Sequence, residues 1–138
     1  MTSFFRDAKL LTLDAAKHIA VAAEAEAARN GWNVAIAVVD ASGSLMLFHR
    51  LDDTQVASLD IAIGKARTAV SFKRPTKALE DVIIKGRTVL LALDGLVPME
   101  GGLPIIVDGR VVGAVGVSGV TSQQDAQVAA AGLAALGG

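Results

Sequence analysis

Two histidines, a handful of lysines and arginines, and two glycine-dense stretches carry the chemistry this sequence offers. With no cysteine in the chain, imidazole is the strongest ligand type available for a haem iron, methionine being weaker. Thiolate metal sites, iron–sulfur ligation, disulfides and cysteine nucleophiles are excluded. His18 falls midway along the first helical pattern, offset from its alanine stripe, which puts it at the edge of the buried face or in solvent. His49 closes the second strand pattern and reads equally as a rim or core-edge residue. Neither has a neighbouring carboxylate motif, and two imidazoles fall short of the three or four protein ligands of a zinc site. A single histidine on a helix flank is also an ordinary surface residue, so the residues alone leave both roles open for His18.

Gly101-Gly102-Leu103-Pro104-Ile105 and Gly113-Ala114-Val115-Gly116-Val117-Ser118-Gly119 fall on the last two strand patterns. Glycine within a strand marks close approach, either of a ligand or of another backbone. One reading makes Gly101, Gly102, Leu103, Pro104, Gly116, Ser118 and Gly119 the wall of a ligand pocket, with N–H groups at the strand ends holding a carboxylate. The other makes the same glycines a seat for tight helix-on-sheet packing. Neither stretch matches G-x-x-x-x-G-K-[ST] or a G-x-G-x-x-G that opens a helix, so no phosphate loop is indicated. Lys65 and Arg74 belong to the charged run Asp60, Lys65, Arg67, Lys73, Arg74. They read as partners for an anionic ligand at a pocket mouth, or as members of a solvated helix face. Ser118 and Thr121 offer hydroxyls, but no histidine-plus-acid signature marks either as an activated nucleophile.

The elements that must position these groups follow from periodicity and punctuation. Thr12 is placed to cap a first helix, with Asp14 in its first turn and Leu13, Ala16, Ala20, Ala23 and Ala27 along one face. Asn30-Gly31 stops it. Val34 to Val39 is an unbroken apolar run that predicts a strand covered on both faces, paired as a hairpin with Leu45 to Phe48 through Asp40-Ala41-Ser42-Gly43. Asp52-Asp53-Thr54 offers caps for a second helix whose apolar face is Val56, Leu59, Ile63, Ala66 and Val70. Pro75 suits the first turn of a third helix burying Leu79, Val82 and Ile83, and Lys85-Gly86 ends it. Thr88 to Leu93 has no decidable type, and Asp94 to Gly102 reads as a loop. Leu103 to Val107 and Arg110 to Val117 form a second hairpin about Asp108-Gly109. Ser122-Gln123-Gln124-Asp125 resembles a capping box for a last helix carrying Val128, Ala131 and Leu136. Tight hairpins force antiparallel pairing. The expected fold is therefore a single α+β domain over residues 1–138, mainly antiparallel sheet flanked by helices in a profilin- or PAS-like layout, with residues 1–10 as an N-terminal extension.

Composition bounds the function. The chain has 138 residues, 52% of them apolar, with 13 basic against 14 acidic residues. The length supports one sizeable core, and the positive mean hydropathy excludes disorder. The charge balance argues against a nucleic-acid partner, which calls for clustered surplus cations. Four phenylalanines, one tryptophan and no tyrosine make a base-stacking platform implausible. No run is long and apolar enough for a membrane span of about 20 residues. No secretory signal is read in the first residues, so the expected setting is cytoplasmic, which the lack of cysteine suits.

Several segments together resemble the HbpS/GlcG-like haem-binding family, which also includes the C-terminal domain of PduO-type proteins. They are Asn33 to Asp40, Ala57 to Ala66, Phe72-Lys73-Arg74-Pro75-Thr76, Gly101 to Ile105 and Gly113 to Gly119, with Asp125 in the helix that follows. The resemblance runs from about Leu11 to Leu136, and its ordered combination is more specific than any single piece. It implies an antiparallel α+β domain, assembly into homo-oligomers, and haem binding in some members with haem degradation or iron handling in others. It also implies that His18 matches a first-helix histidine that serves some relatives as haem ligand, with Lys65 or Arg74 meeting the propionates. Two other classes compete: an enzyme or sensor for a small carboxylate metabolite in a catabolic pathway, sited on the glycine wall with Arg74, and a structural homo-oligomer without catalysis.

Overall fold

A strand without polar residues has to be covered on both faces, and the run from Val34 to Val39 meets that demand by lying inside a sheet. In the computed structural model, which describes residues 3–137, this run supplies β1 (Ala35–Asp40). It pairs with β2 (Leu45–Arg50) on one side and with β4 (Arg110–Ser118) on the other. β3 (Gly102–Val107) pairs with β4, so the sheet order is β2-β1-β4-β3 and all three pairings are antiparallel. Both hairpins fall where the turn residues place them, with Asp108 and Gly109 at positive φ in the second.

Side chains alternate across β1, and each face has its own core. Ile36 and Val38 join Ile19, Ala23, Val115, Val117 and Val128 beneath α1 (Leu13–Asn30) and α4 (Ser122–Ala134). Ala35, Ala37 and Val39 join Ala62, Ala66, Ala69 and Ala114 beneath α2 (Ala57–Phe72). α3 (Thr76–Ile84) follows α2, buries Leu79 and leaves Val82 and Ile83 half-buried. The undecided segment becomes a 3₁₀ turn, Thr88–Ala92, with no buried residue. The result is a single α+β domain, an antiparallel sheet with helices on both faces, as the hairpin signals predict.

Several local expectations differ from the structure. The fully buried face of α2 is Ser58, Ala62, Lys65, Ala66 and Ala69, with Val70; Leu59 and Ile63 pack partly buried against the same core, and Val56 is 70% exposed. The floor under α2 is alanine and glycine, so only small side chains let the two backbones meet. A Cβ on Gly116 would lie 2.1 Å from the Ala62 carbonyl oxygen and 2.5 Å from the Ala66 nitrogen. Asp52, Asp53 and Thr54 do not cap α2, which starts after Val56 without a side-chain cap. The buried Thr54 hydroxyl faces the carbonyls of Leu51 at 2.7 Å and Val34 at 3.0 Å instead, tying the β2–α2 connection to the strand.

The capping box of α4 sits one residue earlier than Ser122–Asp125. Thr121 is the N-cap: its hydroxyl accepts from the Gln124 N–H at 3.2 Å, and the Gln124 side chain accepts from the Thr121 N–H. Asp125 is thereby released from capping. The inner face of α4 is Val128, Ala129 and Gly132 rather than Val128, Ala131 and Leu136, and Leu13 at the start of α1 is half-exposed while Ile19 takes the core position.

Two substitutions check this packing by chemical denaturation. Gly116→Ala is expected to destabilise by about 3 kcal/mol or more, at or above the upper end for overpacking, because backbone rather than a flexible side chain meets the new methyl. Thr121→Ala is expected to lose about 1 kcal/mol and Ser122→Ala only a few tenths, the reverse of what a box starting at Ser122 requires.

Candidate functional site

Thr12 accepts the Ala15 N–H at 3.1 Å, Asp14 lies in the first turn, and Gly31 in the left-handed conformation closes the far end of α1. This well-capped helix turns Ala16, Ile19, Ala20, Ala23 and Ala27 inward. His18 is left on the outer side, exposed, with Nδ1 2.7 Å from the Asp14 carbonyl oxygen one turn back. A carbonyl only accepts, so Nδ1 carries the proton in that bond, and Nε2 is the ring nitrogen that the helix backbone leaves free. Beside the ring is an open hollow of about 410 Å³ lined by Lys17, His18, Val21, Ala22, Ala25 and Ala135. Its lining is largely apolar, with one cation, Lys17, at its border. A tautomer fixed through Nδ1 is the arrangement in which a histidine binds a metal through Nε2. The donor and the lining therefore suit a flat apolar metal complex such as haem.

The other residues expected to share this site lie elsewhere. Lys65, on α2, is 1% exposed rather than part of a solvated face. Its Nζ donates to Asp125 Oδ2 and to the Val117 carbonyl, both at 3.0 Å. Asp125 is 2% exposed, and its second oxygen accepts the Val120 N–H at 3.1 Å. Burial pushes the Asp125 carboxyl up, opposed by the Lys65 ammonium and the Val120 N–H. Arg74 is exposed just beyond the end of α2, its Nε bonded to the Phe72 carbonyl. α2 covers the face of the sheet opposite α1, so one chain does not gather His18, Lys65 and Arg74 into one site.

The glycine wall is likewise occupied. A Cβ on Gly101 would fall 2.7 Å from Lys65 Nζ, one on Gly102 2.4 Å from the Lys65 carbonyl oxygen, and one on Gly119 2.3 Å from the Asn33 carbonyl oxygen. With Gly116 beneath Ala62 and Ala66, these glycines face α2 and neighbouring backbone, as the close-packing reading of the two has it. Ser118 is buried within β4 opposite Ala35. Leu103 packs against the core, and Pro104 borders an open groove between β3 and α4. His49 is part-buried and paired with Glu24 on α1.

Asp125 is the site residue that its local pattern concealed. Its signal was present: Thr121-Ser122-Gln123-Gln124 already completes a capping box, which leaves the acid one position later without a local partner.

These features define a class, an antiparallel four-stranded α+β domain with an internal lysine–aspartate pair and an exposed histidine on an outer helix. The family model described as haem degrading protein HbpS-like matches residues 11–134, and the chain belongs to that family. Protein GlcG of Escherichia coli K12 is 44% identical over 109 residues, covering 79% of this chain and 81% of that protein. The solved structure of a double mutant of Streptomyces reticuli HbpS is 34% identical with a TM-score of 0.92, covering 100% of this chain and 94% of the other. A PduOC–haem complex is 28% identical with a TM-score of 0.87, covering 94% and 96%. The resemblance and fold read from the sequence are thus shown.

The internal pair has a direct test. Lys65→Met strands a buried carboxylate and is expected to lose about 3–5 kcal/mol at neutral pH, with most of the loss recovered by adding Asp125→Asn, which keeps an acceptor for Val120. In the single variant nothing cationic holds down a carboxyl that burial already raises. A carboxyl whose folded pKa exceeds its unfolded value favours the fold at low pH, and that advantage fades as pH rises through the folded pKa. Denaturation at stepped pH is therefore expected to show Lys65→Met gaining stability on acidification relative to wild type.

Proposed function

We propose that this chain binds haem on the outer face of α1, His18 Nε2 ligating the iron, and acts in haem handling or degradation. The observation that carries the reading is the His18 ring, whose Nδ1–H is engaged by its own helix and whose free nitrogen borders an apolar floor. The family description as haem degrading and the haem complex of a similar structure support it. Bound haem would supply iron redox and oxygen chemistry; the protein's part is to hold the iron, shield one face of the macrocycle and place a cation for a propionate. Lys17, at the border of the hollow, is the cation positioned for that last role. Lys65 is engaged by Asp125, and Arg74 lies on the other helical layer.

His18 is exposed and makes only a local hydrogen bond, so His18→Ala is expected to fold normally. Hemin titration followed at the Soret band is expected to give a sharpened, shifted band in wild type. In His18→Ala that band is lost, with affinity lower by about tenfold or more, since one metal–ligand bond exceeds 1.4 kcal/mol. Identical spectra and affinity in the two proteins would remove His18 as ligand.

A further inference from the structure

We infer that two copies of this chain meet through the connection that follows α3. The 3₁₀ turns Thr88–Ala92 pack side by side about a two-fold axis, with Arg87 of each copy paired to Asp94 of the other. Haem plays no part in this contact.

Nothing in the chain covers that connection. From Ile84 to Gly95 no residue is buried, although the stretch includes Val89-Leu90-Leu91-Ala92-Leu93. A 3₁₀ turn lines up side chains three apart, giving three rows, and none of the three meets a core here. Ile84 is 74% exposed, Val89 62%, Leu91 60% and Leu93 47%. Apolar residues exposed singly are ordinary, but such a cluster on one connection marks a surface that another molecule covers.

The patch is held ready for that molecule. The Arg87 N–H donates to the Val82 carbonyl at 3.2 Å, which folds the connection back on the end of α3. Beyond the turn, the Val97 N–H donates to the buried Thr68 hydroxyl at 3.0 Å. Val97 also seats on Gly64 of α2, where a Cβ would lie 2.4 Å from its Cγ2. A segment fixed at both ends has little freedom left to lose on binding, so its apolar area counts more fully toward association.

Charge identifies the occupant. Arg87 and Asp94 bracket the apolar turn, both exposed, and neither forms an ion pair among the described residues. Where a surface meets its own image about a two-fold axis, residue i meets j and j meets i. The basic end of one turn then lies over the acidic end of the other, twice per contact, while Val89, Leu91 and Leu93 close on their images. The five residues of the turn rise about 10 Å, so both pairs fall at the rim of one contact. A standard interface buries about 800 Å² per partner, with an apolar centre and a polar rim. The turn and Ile84 supply the centre; Lys85, Arg87 and Asp94 supply part of the rim. An unrelated protein would need both charges at the matching spacing, whereas a second copy carries them by construction.

Light scattering of the full chain over a concentration series tests the contact. Wild type is expected to assemble with an even number of chains. Leu91→Glu is expected to halve that number or leave monomers, with an unchanged circular dichroism spectrum because Leu91 is mostly exposed in its own chain. Arg87→Glu and Asp94→Arg are each expected to weaken association about tenfold or more, since like charges then face each other at both rims. The double swap Arg87→Glu/Asp94→Arg is expected to regain most of that loss. A monomeric wild type, or a Leu91→Glu protein of wild-type mass at every concentration, overturns the contact. A double swap that associates no better than the single variants overturns the pairing of Arg87 with Asp94.

Discussion

The internal pair of Lys65 and Asp125 sets the terms for the rest of this fold. A lysine on α2 and an aspartate on α4 belong to helices that cover opposite faces of the sheet, yet their charged groups meet at 3.0 Å with almost no solvent contact. Burying two charges is costly, and attraction offsets it only where the geometry is good and the remaining donors and acceptors are met. Here the Val117 carbonyl and the Val120 N–H meet them. The lysine reaches its partner because Gly101 has no side chain: a Cβ there would stand 2.7 Å from Nζ. Gly102 and Gly116 bring α2 onto the strands closely enough for the lysine stem to reach. The glycine stretches are thus the passage for a side chain, and a ligand cavity in the same place would break the pair.

The surface that carries His18 is built outward from that pair. Thr121 and Gln124 cap α4, which leaves Asp125 free to turn inward and fixes the rotation of the helix. α4 then presents Gly132 to α1, where a Cβ would lie 3.0 Å from both Ile19 Cγ2 and the Ile19 carbonyl oxygen. Close seating of α1 on α4 settles which side of α1 is buried, and His18 lies on the other. The chain of causes runs from a buried charge, through a cap one residue from its expected place, to the outward direction of an imidazole.

The architecture was legible because it rests on local signals. Two tight turns, an unbroken apolar run and four helical patterns suffice to state an antiparallel sheet with helices on both faces. Side-chain direction was less legible where tertiary contact overrode local preference. On α2 the larger apolar residues Val56, Leu59 and Ile63 satisfy helical periodicity, but the smaller stripe was buried because the opposing strand is glycine and alanine. Lys65 read as a surface cation because lysine is almost never fully buried without a partner, and its partner lies 60 residues away. Asp125 was attributed to a cap because Ser122-x-x-Asp125 satisfies the local pattern, although Thr121-x-x-Gln124 satisfies it better. The histidine's place on the helix was legible; its tautomer was not, since that depends on one backbone carbonyl.

Small residues have two opposite uses in this molecule, and the difference locates the chemistry. Inward-facing alanines and glycines on α1, α2 and α4 bring backbones together and leave no room for a ligand among them. Half-buried Ala22 and exposed Ala25 on α1 line an apolar hollow beside one imidazole. A tightly seated interior fixes that hollow and the ring's position while contributing no cavity of its own. The core closed by glycine contacts thus sets the geometry of the outer face of α1, where the hollow beside His18 lies.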